Sequence, residues 1–372
     1  MQVRKINTTK PSDRNKFIRF PFKIYADNPY WVPPIQGDME FVMNRKTYPF
    51  YKHSIAEFFI AESEGDVLGR VAILQNKNYC DFHKEKIAFF YYFDSVDDLQ
   101  VSNALLQSAS DWARSNGLDT ILGPKGFMRS NGFGVLIEGF DKLPALGVPY
   151  NFPYYENLLT QFGFQYYTDH ISGYIVPSDG LNEKLFTTAD RIKDQGNFRV
   201  LNFDKKSQLR AWIPEIDRVH HDAFKDNPNF YPSTKEEFDI MAKNILRVAT
   251  PKLIKIVLKD EQLAGFMLAY PNICPALQKT GGRLWPFGWI TILCEMKATK
   301  RIDLNGVGFL PQYQGRGANI LLYAEVERAL RAYQGEFGDL VQVDVRNFRS
   351  KSDMETIGVK WYKTHRTYTL SL

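Results

Sequence analysis

At 372 residues the chain is longer than one hydrophobic core usually fills, so two domains are expected. Its 44% hydrophobic, 24% charged and 15% aromatic content excludes an intrinsically disordered chain and points to large cores. The formal charge of +5 comes from 47 basic and 42 acidic side chains with no Lys/Arg run, which argues against a nucleic-acid partner while suiting an anionic small molecule.

The start, Met1-Gln2-Val3-Arg4-Lys5, leads into polar residues without the apolar core of a secretory signal. No uninterrupted apolar stretch of about 18 residues is found, so no membrane span is expected and the cytoplasm is the default location. Cys80, Cys274 and Cys294 are widely spaced and odd in number, so they suggest buried thiols rather than a disulfide framework or a metal site.

Along the first half, periodicity predicts a helix over 13–25, strands over 57–62, 67–74 and 88–93, a helix over 101–115, and strands over 119–122 and 164–175. The turn-rich cluster Pro177-Ser178-Asp179-Gly180 then divides the chain into domains 1–178 and 179–372. Beyond it, helices are expected over 207–224 and 234–248, the latter after the helix-start sequence Ser233-Thr234-Lys235-Glu236. Strands over 253–258 and 264–269 form a hairpin, and an insertion over 274–299 holds a short apolar helix after Trp285-Pro286. A strand over 302–310, a helix over 317–333, a strand over 340–345, a short helix over 351–356 and a strand over 360–370 complete the order.

The two halves repeat one another. Asp27-Asn28-Pro29 with Pro33 recurs as Asp226-Asn227-Pro228 with Pro232, at an offset of 199. Gly69 before Arg70-Val71-Ala72 recurs as Gly265 before Phe266-Met267-Leu268, and Asn151-Phe152 as Asn347-Phe348, both at 196. Gly163 with Tyr167 and His170 recurs as Gly358 with Tyr362 and His365, at 195. The fold class that follows is α/β, a tandem duplication of one mixed-sheet module rather than a doubly wound parallel sheet.

One loop carries the chemistry. The strand ending at Phe309-Leu310 stops at Pro311, and Gln314-Gly315-Arg316-Gly317-Ala318-Asn319 runs straight into a helix. A glycine-rich turn at a helix N-terminus leaves N–H groups directed outward, and the helix dipole favours an anion there. The first half has no such loop: Asp94-Ser95-Val96-Asp97-Asp98 stands in its place, and those carboxylates repel phosphate. The other glycine-rich run, from Gly123 to Gly134, is expected as an irregular loop at the domain interface, where it can meet substrate.

The segment Gln314-x-x-Gly317-x-Asn319, after a strand closed by proline, resembles the signature of the GNAT superfamily of acyl-CoA-dependent N-acyltransferases. Asn347, Ser350, Gly358 and Val359 fall at that family's downstream spacing, while Asn319 replaces its last small residue. The resemblance covers the second half from about residue 205 and reaches the first half through the repeat. It implies a tandem GNAT-like protein in which the C-terminal domain binds acetyl-CoA or another acyl-CoA as co-substrate. An acyl group would pass to a small-molecule or peptide amine acceptor, with no metal.

The resemblance also implies a cofactor site at Phe309, Leu310, Gln314, Gly315, Arg316, Gly317, Ala318 and Asn319, with pantetheine pairing along 302–310. Asn347 would bond backbone or pantetheine, and Lys351 the 3′-phosphate. The family's tyrosine acid, four residues before the late glycine, is here Met354, which cannot donate a proton. Asp303, His220 and His221 are the candidate general bases; otherwise Asp303 is a solvent-facing strand acid and the histidines are helix-end residues. Tyr362 and His365, repeated at Tyr167 and His170, suit packing. Trp285, Phe287 and Trp289 either line a substrate pocket or bury the inserted helix. A non-catalytic CoA-binding or ligand-sensing protein is the alternative. An aminoacyl transferase using charged tRNA is disfavoured because basic clusters are absent.

Overall fold

The computed structural model describes residues 1–177, 183–314 and 318–372. The expected domain boundary at 178/179 and the loop residues Gly315, Arg316 and Gly317 lie outside the described residues. The first half runs β1 (Gln2–Lys5), α1 (Pro11–Ile24), α2 (Gln36–Met43), β2 (Ile55–Ser63), β3 (Asp66–Gln75), α3 (Lys77–His83), β4 (Ile87–Ser95) and α4 (Leu99–Ser115). It continues with β5 (Thr120–Gly123), β6 (Val135–Glu138), α5 (Tyr155–Phe162) and β7 (Gln165–Ile175). The second half holds α6 (Glu183–Gln195), β8 (Phe198–Leu201), α7 (Lys206–Phe224), α8 (Lys235–Val248), β9 (Lys255–Lys259) and β10 (Gln262–Pro271). Then come α9 (Cys274–Thr280), α10 (Gly288–Ala298), β11 (Arg301–Phe309), α11 (Ala318–Ala332), β12 (Phe337–Asp344), α12 (Phe348–Thr356) and β13 (Lys360–Ser371).

Every expected element is present. At the start of α8 the capping residue is Thr234: its side chain accepts from the Glu237 N–H while Glu237 reaches back to the Thr234 N–H, a box worth about 1 kcal/mol. The structure adds β1, α2, α3, β6, α5, α6, β8 and α9, mostly pieces too short to show a period. Cys294 departs from expectation: it is exposed, whereas Cys80 and Cys274 are buried.

The described strands form one 13-stranded sheet in the order β1-β2-β3-β4-β5-β13-β7-β12-β11-β10-β9-β8, with β6 pairing β13 beside that path. Among the described strands only β4–β5 and β11–β12 are parallel pairs. The two halves exchange their last strands: β7 of the first half lies against β12, and β13 of the second lies against β5. His170 and His365, one repeat apart, face each other where β7 and β13 cross-pair, so the local twofold relation of the halves passes between them. Both are buried, and burial pulls their pKa values down to about 4 and about 3, so they are neutral packing side chains at that crossing.

The repeat holds in backbone detail. Asn28 and Asn227 each close an Asx turn, accepting from the N–H of Tyr30 and Asn229 at 2.9 Å in both cases. Pairing slips by one residue at Leu68, before Gly69, and again at Ala264, before Gly265. Gly163 and Gly358 end equivalent helices with φ of +112° and +85°, a region that a side chain disfavours. The helices cover both faces of the sheet: α4 and α5 pack on one side of the first module, α1 and α2 on the other, with Tyr231, Phe238 and Met241 of the second half completing that core. In the second module α6 and α11 pack on one face and α7 on the other.

Candidate active site

In each module the parallel strand pair opens into a V. The β4–β5 ladder runs only from Ile87–Thr120 to Phe89–Leu122, and the β11–β12 ladder from Arg301–Phe337 to Leu304–Leu340. Just past both ladders lies a bulge against the preceding strand, with Tyr92 at φ +48° in the first module and Asn305 between the paired Leu304 and Gly306 in the second. A bulge re-aims one side chain and ends pairing, and here it separates the strands. Beyond Leu304, the β12-facing edge of β11 therefore has no strand partner among the described residues, so the free stretch begins at residue 305 rather than 302.

The side chains of Phe309 and Leu310 are buried in the two opposite cores, and the Leu310 N–H is itself taken by the Ala264 carbonyl at 2.9 Å. Gln314 braces the strand end, donating to the Phe309 carbonyl at 2.7 Å and accepting from Arg349 at 3.2 Å. Ala318, buried, begins α11, whose first-turn N–H groups have no helical acceptors. Asn319 does what the smaller family residue cannot: it donates to Asp353 at 2.9 Å and ties α11 to α12, with Tyr323 bonding the same carboxylate. Asn347 caps α12 through the Ser350 N–H, and the Lys351 ammonium lies 3.9 Å from Glu355. Met354 is buried in the α11 core. Gln314, Asn319 and Asn347 thus spend their side chains on neighbouring backbone and helices, so a ligand at this end of the strand would have to be met by backbone groups.

The corresponding helix start in the first module is closed. Asp98 caps α4 with its own carboxylate, accepting from the Gln100 N–H at 2.7 Å, so the dipole is already answered by a negative charge.

Two cavities meet at the β11 bulge of the second module. The larger, about 550 Å³, lies between the modules and is walled by Trp31, Pro34, Tyr92, Val148 and Leu277 among others. The smaller, about 260 Å³, is lined by apolar residues of α7, α8 and β10 with His220 and Arg129. Ser130, Met241, Ile245 and Asn305 line both, so they adjoin at the bulge.

The candidate bases are not gathered there. Asp303 is sealed from solvent and lines neither cavity; it accepts from Asn272 at 2.8 and 3.1 Å and from the Leu146 N–H at 2.8 Å. Burial, with the nearby charge of Asp339, pushes its pKa up to about 7. Both expectations for it are corrected: it is not a solvent-facing acid, and it does not reach a cavity as a base. His220 lines the smaller cavity, but its Nδ1 faces the Arg129 guanidinium at 3.1 Å. A guanidinium only donates, so the imidazole proton sits on Nε2 and the ring is a donor rather than a base. Burial and the Arg129 charge pull its pKa down to about 3. His221, one residue on, is exposed beside Asp222 and lines neither cavity.

The glycine-rich loop of the first half does lie at the interface. Arg129 bonds Ser233 at 3.1 Å, Lys125 reaches Asn229 at 3.5 Å, and the backbone of Phe133 is held on both sides by Gln342 at 2.9 and 2.7 Å. Lys125 stands over the Tyr79 ring at 3.9 Å, and burial pulls its pKa down to about 7. Asn305 and Arg129 were not among the sequence candidates. Asn305-Gly306-Val307-Gly308, two glycines within a strand, is the signal of a bulge that could have pointed to the first. Nothing local marks Arg129, because its partners come from the other half.

No family model matches this chain. It is similar to protein YghO of Escherichia coli (strain K12), 27% identical over 365 residues that cover 96% of this chain and 92% of that protein. It is also similar to a bacterial ceramide synthase of Caulobacter vibrioides (strain NA1000 / CB15N), 25% identical over 370 residues, covering 97% and 96%. Among solved structures, a tandem GNAT protein from the clavulanic acid biosynthesis pathway superposes with a TM-score of 0.56 at 11% identity, over 100% of this chain and 98% of that one. A GCN5-related N-acetyltransferase from Sphaerobacter thermophilus superposes with a TM-score of 0.50 at 13% identity, over 100% and 95%. The chain has the tandem GNAT fold.

Proposed function

We propose that this protein is an acyltransferase that moves a fatty acyl group from acyl-CoA to the amine of a long-chain lipid base. The observation that carries the reading is the meeting of two largely apolar cavities at Asn305, where β11 leaves β12. An acetyl group and a small polar amine need no such volume; two hydrocarbon chains do, at about 0.8 kcal/mol for each methylene removed from water. The likeness to a protein named as a ceramide synthase, over nearly the whole chain, supports a lipid acceptor.

In this reading the second module alone holds the donor, with its pyrophosphate at the start of α11 and its pantetheine along the free edge of β11 from residue 305. The backbone N–H groups of that edge polarise the thioester carbonyl. The amine attacks as the neutral base; the C–N bond forms, the C–S bond breaks, and the amine proton leaves while the thiolate takes up a proton. His220, protonated on Nε2 and held by Arg129, donates a hydrogen bond into the smaller cavity and orients a carbonyl or hydroxyl there. Asp303 supports the base of the V rather than touching substrate.

The test is release of free thiol and formation of an amide from long-chain acyl-CoA and a long-chain amino alcohol, followed by mass spectrometry. Shortening the acceptor by two methylenes should lower kcat/KM roughly 10-fold. Binding of acyl-CoA without thiol release for any lipid amine would favour a ligand-sensing protein instead.

A further inference from the structure

The insertion between β10 and β11 carries side chains that neither core nor cavity uses. Trp285 is 82% exposed, Phe287 71% and Trp289 47%, and α10 behind them presents Ile290 and Leu293 to solvent as well. Not one residue of α10 is buried. Both sequence expectations for the aromatic cluster are thereby corrected: it lines neither cavity and does not bury the helix. A contiguous apolar surface of this kind marks an interaction site.

Its chemistry selects the partner. An apolar helix of 11 residues is about 16 Å long, half the hydrocarbon thickness of a bilayer, so it cannot span one. Tryptophan and phenylalanine at the tip suit the boundary between headgroups and acyl chains. Between Cys274 and Lys300 the charged residues are Lys279, Arg283, Lys297 and Lys300 against Glu295 alone, a basic border that complements an anionic membrane surface. The same insertion is strapped to the loop walling the larger cavity: Gln278 donates to the carbonyls of Pro29 and Trp31 at 2.8 and 3.0 Å, and Leu277 lines the cavity.

We infer that the 274–300 insertion is a membrane-docking element, which seats its aromatic tip and α10 in the interface of an anionic bilayer. The docking stands independently of the reaction proposed above, and it would hold the larger cavity beside the lipid. The full chain should co-sediment with mixed phosphatidylcholine–phosphatidylglycerol vesicles, and less so at high salt. The triple substitution Trp285→Ser, Phe287→Ser, Trp289→Ser, at exposed positions that leave the fold intact, should weaken partitioning at least 10-fold. A polarity-sensitive fluorophore on Cys294, the one exposed cysteine, should shift to the blue when vesicles are added. Equal partitioning of the two proteins, no fluorophore shift, or a vesicle-free dimer of the unaltered chain that the triple substitution converts to monomer would each overturn the inference.

Discussion

The two modules share a strand order and a bulged V, yet they differ at two positions that decide what each can hold. At the helix start beside the V, α4 is stoppered by Asp98, whereas α11 is preceded in sequence by Gly315-Arg316-Gly317. At the third rung of the parallel ladder the first module pairs Phe89 with Leu122, while the second pairs Asp303 with Asp339. Duplication preserved the backbone geometry, which is costly to rebuild, and the side chains diverged. The first module became a wall and a loop donor, supplying Arg129 and Lys125 to the interface. The second kept glycines where the first has carboxylates.

Three experiments sharpen or break that contrast. The largest effect is expected from the carboxylate rung. The pKa of Asp303 is raised to about 7 in the folded chain from 3.8, so its contribution to stability is complete below about pH 4 and is lost as pH rises to about 7. Denaturant titrations of the Asp303→Asn variant should show it gaining about 4 kcal/mol on the unaltered protein across that window. A flat difference would mean that Asp303 titrates alike in the folded and unfolded chains. Next, Gly317→Val should weaken CoA binding at least 100-fold in calorimetry without lowering Tm. Asp98→Ala, its mirror in the first module, should lose about 1 kcal/mol of stability and gain no CoA affinity. CoA bound by the first module after that change would erase the distinction. The smallest effect concerns the loop. Removing a like charge by Arg129→Ala should raise the pKa of His220, followed by NMR, toward the usual imidazole range without reaching it, because burial is the larger cause. An unmoved value would separate Arg129 from the imidazole.

Much of this was legible in the sequence. The repeat and the strand and helix order depend on local pattern: Asn-Pro turns and strand alternation. Gln314 and Asn319 were found by spacing, although their bonds to Phe309 and Asp353 were not. His220 and His221 looked equivalent as neighbours; one turned out to line a cavity and the other to face water, since successive helix residues point about 100° apart.

The sequence by itself determined the duplication and the α/β class, because those rest on local backbone preference. Tertiary structure alone decided that β7 and β13 change places, that two cavities meet at Asn305, that Asp303 is sealed, and that Trp285 and Phe287 are left in the open. Each of these follows from pairing between residues about 90 to 200 positions apart or from what neighbouring elements leave uncovered, and no local periodicity encodes either.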